Sequence, residues 1–464
     1  MSQITPLHHA NAISCFSSES FSSKVGKAGC YLALIALCSL WSAPALAELT
    51  LTTPNGVSVQ VHDDTHSGVT IGNIVQNWPL LCVQSSCPQG DCAECQPNTI
   101  YDAGGVESAV EISGRQRSST VVSMNGIDVH RRVYVPVDGP QEADGFLRVV
   151  DTFYNPTAQA ISISVKIGSL TAQSAVGAPS AQVWRTSSYD VDFNLNDRWV
   201  LIDDSLANGG EDNLVILTQG AGGVAPDMLQ HDPNARTMSW RYNEITVPAR
   251  EKVSLITLIQ VEVSRVDALS ESRNLVKFRP VDVTFGLDNL DRRALYNVDI
   301  DPDNACPIAD LNGPYNGNEG QAIQISGASS FDLEEANLIY SWDIDGDGLF
   351  GEAGLESSGA NLLITFPQNG SYPIALEVED PLGKIDRDRV EINVRNVKPV
   401  VEQLLTNSPI NEGGLLEVVL EGSDIGVEDQ LDLEIDWEGN GVFEAVGNNS
   451  SYRYTQDGVI TAQP

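Results

Sequence analysis

Tyr340 to Phe350 reads YSWDIDGDGLF, and Leu433 to Phe443 reads LEIDWEGNGVF. Asp343 and Asp436 are 93 residues apart (436 minus 343), and Asn318-Glu319-Gly320 returns as Asn411-Glu412-Gly413 at the same offset. A fixed offset of this kind marks one structural unit used twice in tandem. Within the unit, Trp342/Ile344 becomes Ile435/Trp437. Residues two apart on a strand share a face, so one large and one aliphatic side chain are retained in swapped order, a change that a packed sandwich core tolerates because total volume is kept.

The flanking residues make the unit specific. Ser329-Ser330-Phe331-Asp332 precedes Tyr340 to Gly348, and Gly370-Ser371-Tyr372 leads into the alternating run Ile374, Leu376, Val378, Asp380. This pattern resembles the PKD (polycystic kidney disease) module over about 304–396, and 397–464 in part. The second copy lacks the Tyr-x-Trp order and stops soon after Gly458, the counterpart of Gly370. The resemblance implies a seven-stranded immunoglobulin-type β-sandwich used for extracellular binding, adhesion or spacing, or appended to secreted hydrolases. A second copy that ends this early leaves an open sheet edge, to be completed by more chain or by a partner's strand.

Upstream, residues 48–300 form a succession of short alternating runs: Val57 to Val61, Val133 to Val137, Ile161 to Ile167 and Val253 to Val263. Period-two patterning with β-branched residues predicts half-buried strands. Phe146 to Ile167, broken by Asn155-Pro156, reads as a hairpin. Val266 to Phe278 and Asp288 to Tyr296 carry apolar residues at helical spacing. The fold class expected is all-β: an N-terminal sandwich with short C-terminal helices, followed by tandem immunoglobulin-like (PKD) sandwiches.

Residues 1–47 read as a cleaved export signal, with Lys24 and Lys27 before the apolar run Tyr31 to Trp41 and Ala45-Leu46-Ala47 at the cleavage site. The mature chain is then expected to begin at Glu48, secreted or at the cell surface. The run is far shorter than the roughly 20 residues a membrane helix needs, and no other segment is apolar enough to span. Leu37 before Cys38 argues against a lipoprotein.

The 464 residues carry 63 acidic and 26 basic side chains, a formal charge of -37. So acidic a surface repels a phosphate backbone and excludes nucleic acid as partner. An extracellular protein or polysaccharide is the expected partner. Of the mature cysteines, Cys82, Cys87, Cys92 and Cys95 cluster and Cys306 stands alone. Two local disulfides of unreadable connectivity are expected; a zinc knot is the alternative, disfavoured because only one C-x-x-C is present.

Asp343, Asp345 and Asp347 before Gly348 reproduce the first half of a calcium loop, where alternate oxygens converge on one ion. The twelfth position is Gly354 rather than a bidentate Glu. Asp436, Glu438 and Asn440 are the equivalents in the second repeat. An Asp-Gly turn explains the same residues without metal. Asp299, Asp301 and Asp303 at the junction, a third acidic cluster, read as a solvated linker, or as a calcium site that would stiffen it.

No H-E-x-x-H, G-x-S-x-G or phosphate loop is present. His62, Asp63, Asp64 and His66 could gather a metal or an acid/base pair but read more simply as a polar turn facing water, and Asp203-Asp204 reads as an ordinary acidic pair whose successive residues point to opposite faces. The preferred function is therefore non-catalytic: extracellular adhesion, polymer or protein binding, or spacing of domains. The alternative is a secreted hydrolase with 48–300 as catalytic domain.

Overall fold

A computed structural model describes residues 49–455 except 54–55, 63–67, 73, 88–93, 104–108, 137–144, 172–173, 178–180, 204–212, 263, 279–282, 335 and 353–358. The 1–47 leader, the cleavage site at Glu48, Cys92, Gly354 and Gly458 thus lie outside the described residues. The chain is all-β, in tandem β-sandwiches, with two α-helices among the described residues. Among the described residues no helix is long and apolar enough to cross a membrane.

A nine-stranded and a four-stranded sheet share one core upstream of the repeats. In the larger sheet Lys252–Glu262 lies between Asn213–Leu217 and Phe146–Tyr154, which in turn pairs with Ile127–Tyr134. The smaller sheet sets Thr237–Val247 beside Ile161–Gly168, with Leu80–Ser85 beyond. Phe146–Tyr154 and Ile161–Gly168 therefore belong to different sheets and are not the hairpin that the sequence suggests.

Asn155 explains the crossing. Its Nδ2 donates to Val247 O (3.0 Å) and Gln159 O (2.7 Å), and its Oδ1 accepts from Thr157 N (2.9 Å). Its backbone pairs with Glu251 and Arg250, in the turn where Thr237–Val247 crosses to Lys252–Glu262. Two corners lie side by side, each passing one strand from sheet to sheet, so the buried strands find partners on both flanks.

The central strands are also buried on both faces rather than half-buried as expected. Odd-numbered residues such as Val149, Phe153, Leu255 and Ile259 face the inter-sheet core. Even-numbered Phe146, Val150, Ile256 and Leu258 face a second cluster with Ala268, Leu275, Val298 and Ile300. The helix Arg265–Val276, capped by Ser264 accepting from Asp267 N, and the following segment supply that cover. The helix Asn289–Arg293 is shorter than the helical spacing suggested.

Asp291 on that second helix accepts from Arg132 (2.8 Å) and Lys252 (2.6 Å), tying the helix to two strands. Burial pushes its carboxyl up, but the two cations outweigh burial and hold it at about 2. A carboxyl depressed by folding contributes stability above its unfolded pKa near 4, and that contribution is lost as pH falls toward 2. The acid limb of the melting-temperature profile between pH 4 and pH 2 should accordingly be shallower in Asp291→Asn than in wild type. Parallel acid limbs would show that the pair contributes nothing.

The first repeat has a four-stranded sheet facing a two-stranded one. Ile339–Asp343, Gly370–Glu379 and Ile385–Arg395 pair antiparallel, Tyr315–Asn318 joins the last of these in parallel, and Ala322–Ser326 pairs with Asn361–Thr365. Among the described residues this is one strand fewer than the seven implied, with only a bridge between Ile308 and Phe331 nearby. Trp342 is fully buried at the centre, with Ile325, Leu362, Leu376 and Ile392. In the second repeat Ile435 and Trp437 are both buried, as the exchanged order requires, in a much smaller cluster. Val400–Thr406 there is exposed along its whole length.

Candidate functional site: acidic turns and the domain junction

Asp343 closes the strand Ile339–Asp343 and is buried. Its Oδ1 accepts from Gly346 N (2.8 Å) and its Oδ2 from Gly348 N (3.0 Å). Gly346 and Gly348 adopt positive φ (77° and 86°), which the wrapped backbone demands and glycine allows without strain. Asp345 Oδ1 accepts from Asp347 N, and Asp347 Oδ1 from Leu349 N (2.8 Å). One oxygen from each of Asp343, Asp345 and Asp347 lies within 4.8 Å of the others. The three carboxylates are thus brought together, but Asp343 already gives both oxygens to the turn.

The second turn repeats this wiring. Asp436 accepts from Gly439 N (2.8 Å), Asn440 N (3.2 Å) and Gly441 N (2.8 Å). Burial pushes Asp436 up, but these backbone donors outweigh it and hold the carboxyl below its usual range. Glu438 is engaged at both oxygens, by Asn440 Nδ2 (3.0 Å) and Tyr452 OH (2.9 Å).

A further acidic group, not anticipated, lies where the repeats meet: Glu319, Asp424 and Asp429. Glu319 is fully buried and accepts from Asn369 N and Val397 N, both 2.7 Å. Asp429 Oδ1 accepts from Gln368 Nε2 (2.7 Å). The repeated Asn-Glu-Gly was the signal available. Glu319 is buried where Glu412 is exposed, because the 424–429 loop of the following repeat covers only the former.

His62 Nε2 meets Thr70 Oγ1 at 2.6 Å, while Asp63, Asp64 and His66 lie outside the described residues. Asp203 is buried and paired with Arg265; Asp204 is outside. Cys82 and Cys95 form a disulfide, and Cys87 is also disulfide-bonded. A zinc knot is thereby overturned, since a bonded sulfur has no thiolate to offer. Cys306 is free and buried, and burial, reinforced by Asp386 and Asp299, pushes its thiol up to about 12.

The junction is not a solvated linker. Asp299 pairs with Lys384, and Asp301 and Asp303 pair with Arg293. Lys277, just beyond the first helix, forms a buried pair with Asp310 and donates to Ser329 O (2.8 Å). Arg198 grips Asp386 with both terminal nitrogens and Arg387 O at 3.0 Å. Arg273 donates to Gly313 O (2.9 Å) and lies over the ring of Tyr189, which is packed into the core of the first repeat. At Gly222 an added Cβ would stand 2.7 Å from Asp299 Cβ and 2.8 Å from Cys306 Cβ, so glycine is required for the backbones to approach. Basic residues, scarce in this chain, are gathered at this seam.

Two sheets around a buried tryptophan, with the entering strand parallel to the leaving one, define the first repeat as an immunoglobulin-like module. Residues 304–394 match the family model described as PKD domain, and the chain is a PKD domain-containing protein. Over 127 residues it is 31% identical to "Collagenase ColQ1" of Bacillus cereus (strain Q1), covering 27% of this chain; it spans 12% of that collagenase's length. Among solved structures, the PKD domain of an M14-like peptidase from Thermoplasmatales archaeon SCGC AB-540-F20 is 26% identical, with TM-score 0.16, covering 20% of this chain and 97% of that one. The PKD1 domain of Vibrio anguillarum Epp is 22% identical, with TM-score 0.15, covering 20% and 96%.

Proposed function

We propose that this is an exported, non-catalytic binding protein in which residues 304–396 hold the 48–300 domain in a fixed orientation outside the cell, with 397–464 extending the array. The leader at 1–47 would direct export, and a native N-terminus at Glu48 would support that step. The observation that carries the reading is the clamp at the junction. Two bodies joined through a buried Lys277–Asp310 pair, the Arg198 grip and an inserted Tyr189 are presented as one unit. The ligand class is an extracellular polysaccharide or protein. Retention of the full chain on a panel of insoluble polysaccharides and matrix proteins, assayed alongside turnover of peptides, esters and glycans, tests it. Saturable retention without turnover supports binding; turnover favours the secreted hydrolase; neither retention nor turnover removes the reading.

Calcium at the first acidic turn belongs to the same proposal. One oxygen each of Asp345 and Asp347 stays clear of the turn's own backbone hydrogen bonds, a donor set suited to a weak, hard-cation site with Kd of about 0.1–1 mM. At a few millimolar calcium such a site would stabilise the module by about 1–2 kcal/mol. The melting temperature of the full chain should therefore rise in calcium relative to chelator, and the rise should vanish in Asp345→Asn/Asp347→Asn. No shift at millimolar calcium overturns the site.

A further inference from the structure

Between the 187–198 loop of the N-terminal domain and the start of the strand Ile385–Arg395 lies a cleft of about 610 Å³. This is within the range of roughly 300–1,000 Å³ usual for small-ligand sites, which favour domain interfaces. Its charged lining is Asp190, Asp386 and Asp388 against Arg198, Arg387 and Arg389. In a chain of formal charge -37 this wall is balanced. Arg198 is neutralised by Asp386, and Arg387 by Glu377. A polyanion or polycation therefore gains little from entering.

The walls are also preorganised. Buried Asp197 accepts from Ser188 Oγ (2.8 Å) and Asn194 N (2.9 Å), and Asp190 accepts from Thr186 Oγ1 (2.8 Å), so the loop is fixed from within. The opposite wall is fixed by the junction clamp, and a site that need not be ordered on binding loses less entropy. Asn196 and Arg389, both exposed, line the cleft. The amide offers two donors and an acceptor and the guanidinium five donors, groups that can hydrogen-bond hydroxyls. Among the described residues the lining contains no aromatic side chain, and of larger apolar ones only Leu195, so a hydrophobic ligand is disfavoured.

We propose that this interdomain cleft binds a neutral oligosaccharide. The inference rests on the polysaccharide-binding form of the function above and assigns it a place. The full chain would be titrated calorimetrically with maltohexaose, cellohexaose, xylohexaose and mannohexaose, with hexagalacturonate as the anionic comparator. Wild type would be compared with Asn196→Ala/Arg389→Ala, two exposed substitutions whose melting temperature should match wild type. The expected result is saturable binding of at least one neutral hexasaccharide, weakened about tenfold or more in the variant, which corresponds to 1.4 kcal/mol or more. Equal binding by both proteins overturns the cleft while leaving polysaccharide binding standing. Binding of hexagalacturonate alone, or no binding of any probe at millimolar concentration, overturns the neutral-glycan assignment. In that case retention on insoluble polymers decides the wider reading separately.

Discussion

Asp151→Ala should destabilise the N-terminal domain by about 3–5 kcal/mol, the usual cost of leaving one charge of a buried pair without its partner. Asp151 and Arg131 stand directly opposite one another on adjacent strands, and their side chains are each 1% exposed. Both residues are odd-numbered, like Val129, Val133, Val149 and Phe153, and so point into the core between the two sheets. The guanidinium meets the carboxylate at 2.7 and 2.9 Å and reaches the Pro79 carbonyl. Removing the carboxylate strands a cation there. Replacing both partners by Arg131→Met/Asp151→Leu should cost far less, because an apolar pair needs no neutralisation. Urea unfolding of the three proteins checks this. A single variant within 1 kcal/mol of wild type would mean that water or another group reaches the site.

The comparable effect in the first repeat is expected at Trp342. Trp342→Ala removes a fully buried indole from the middle of the module and leaves Gly359 O without its donor at 2.7 Å. Large-to-small substitutions of this kind cost about 3–5 kcal/mol. Trp437→Ala should cost less, because its cluster has five buried members and its ring stacks on Tyr452, which stays partly exposed. Separate fluorescence-monitored transitions of the two variants test the order; a larger loss at Trp437 would reverse the ranking of the two cores.

The first repeat was legible because its information is local. Asp343 with Gly346 and Gly348 specifies a turn by backbone angles that few other residues adopt, and Ile374, Leu376 and Val378 alternate on one face. The two-faced burial of the strand Lys252–Glu262 was half-visible: apolar residues occupy both parities of its sequence, the mark of a strand covered on both sides. The crossing at Asn155 was not visible, since a turn reads alike whether its strands pair with each other or diverge. The junction was least legible. Arg198 and Asp386 lie 188 residues apart, and nothing near either announces the other. Asp299, Asp301 and Asp303 looked solvated because their cations arrive from the helix Asn289–Arg293 and from Lys384. At the acidic turns the residues were found, but sequence spacing does not show which oxygens the backbone has already taken.

The parallel pairing of Tyr315–Asn318 with Ile385–Arg395, from Tyr315↔Ile392 to Asn318↔Arg395, has a mechanical side. One strand enters the module and the other leaves it, so tension along the chain pulls them past each other in opposite directions. The inter-strand hydrogen bonds then bear the load together, in shear, and do not open one at a time like a zipper. With Asp310, ahead of the entering strand, held by Lys277 and Asp386, at the head of the leaving strand, held by Arg198, a pull on the distal end is transmitted to the N-terminal domain before the module itself can extend.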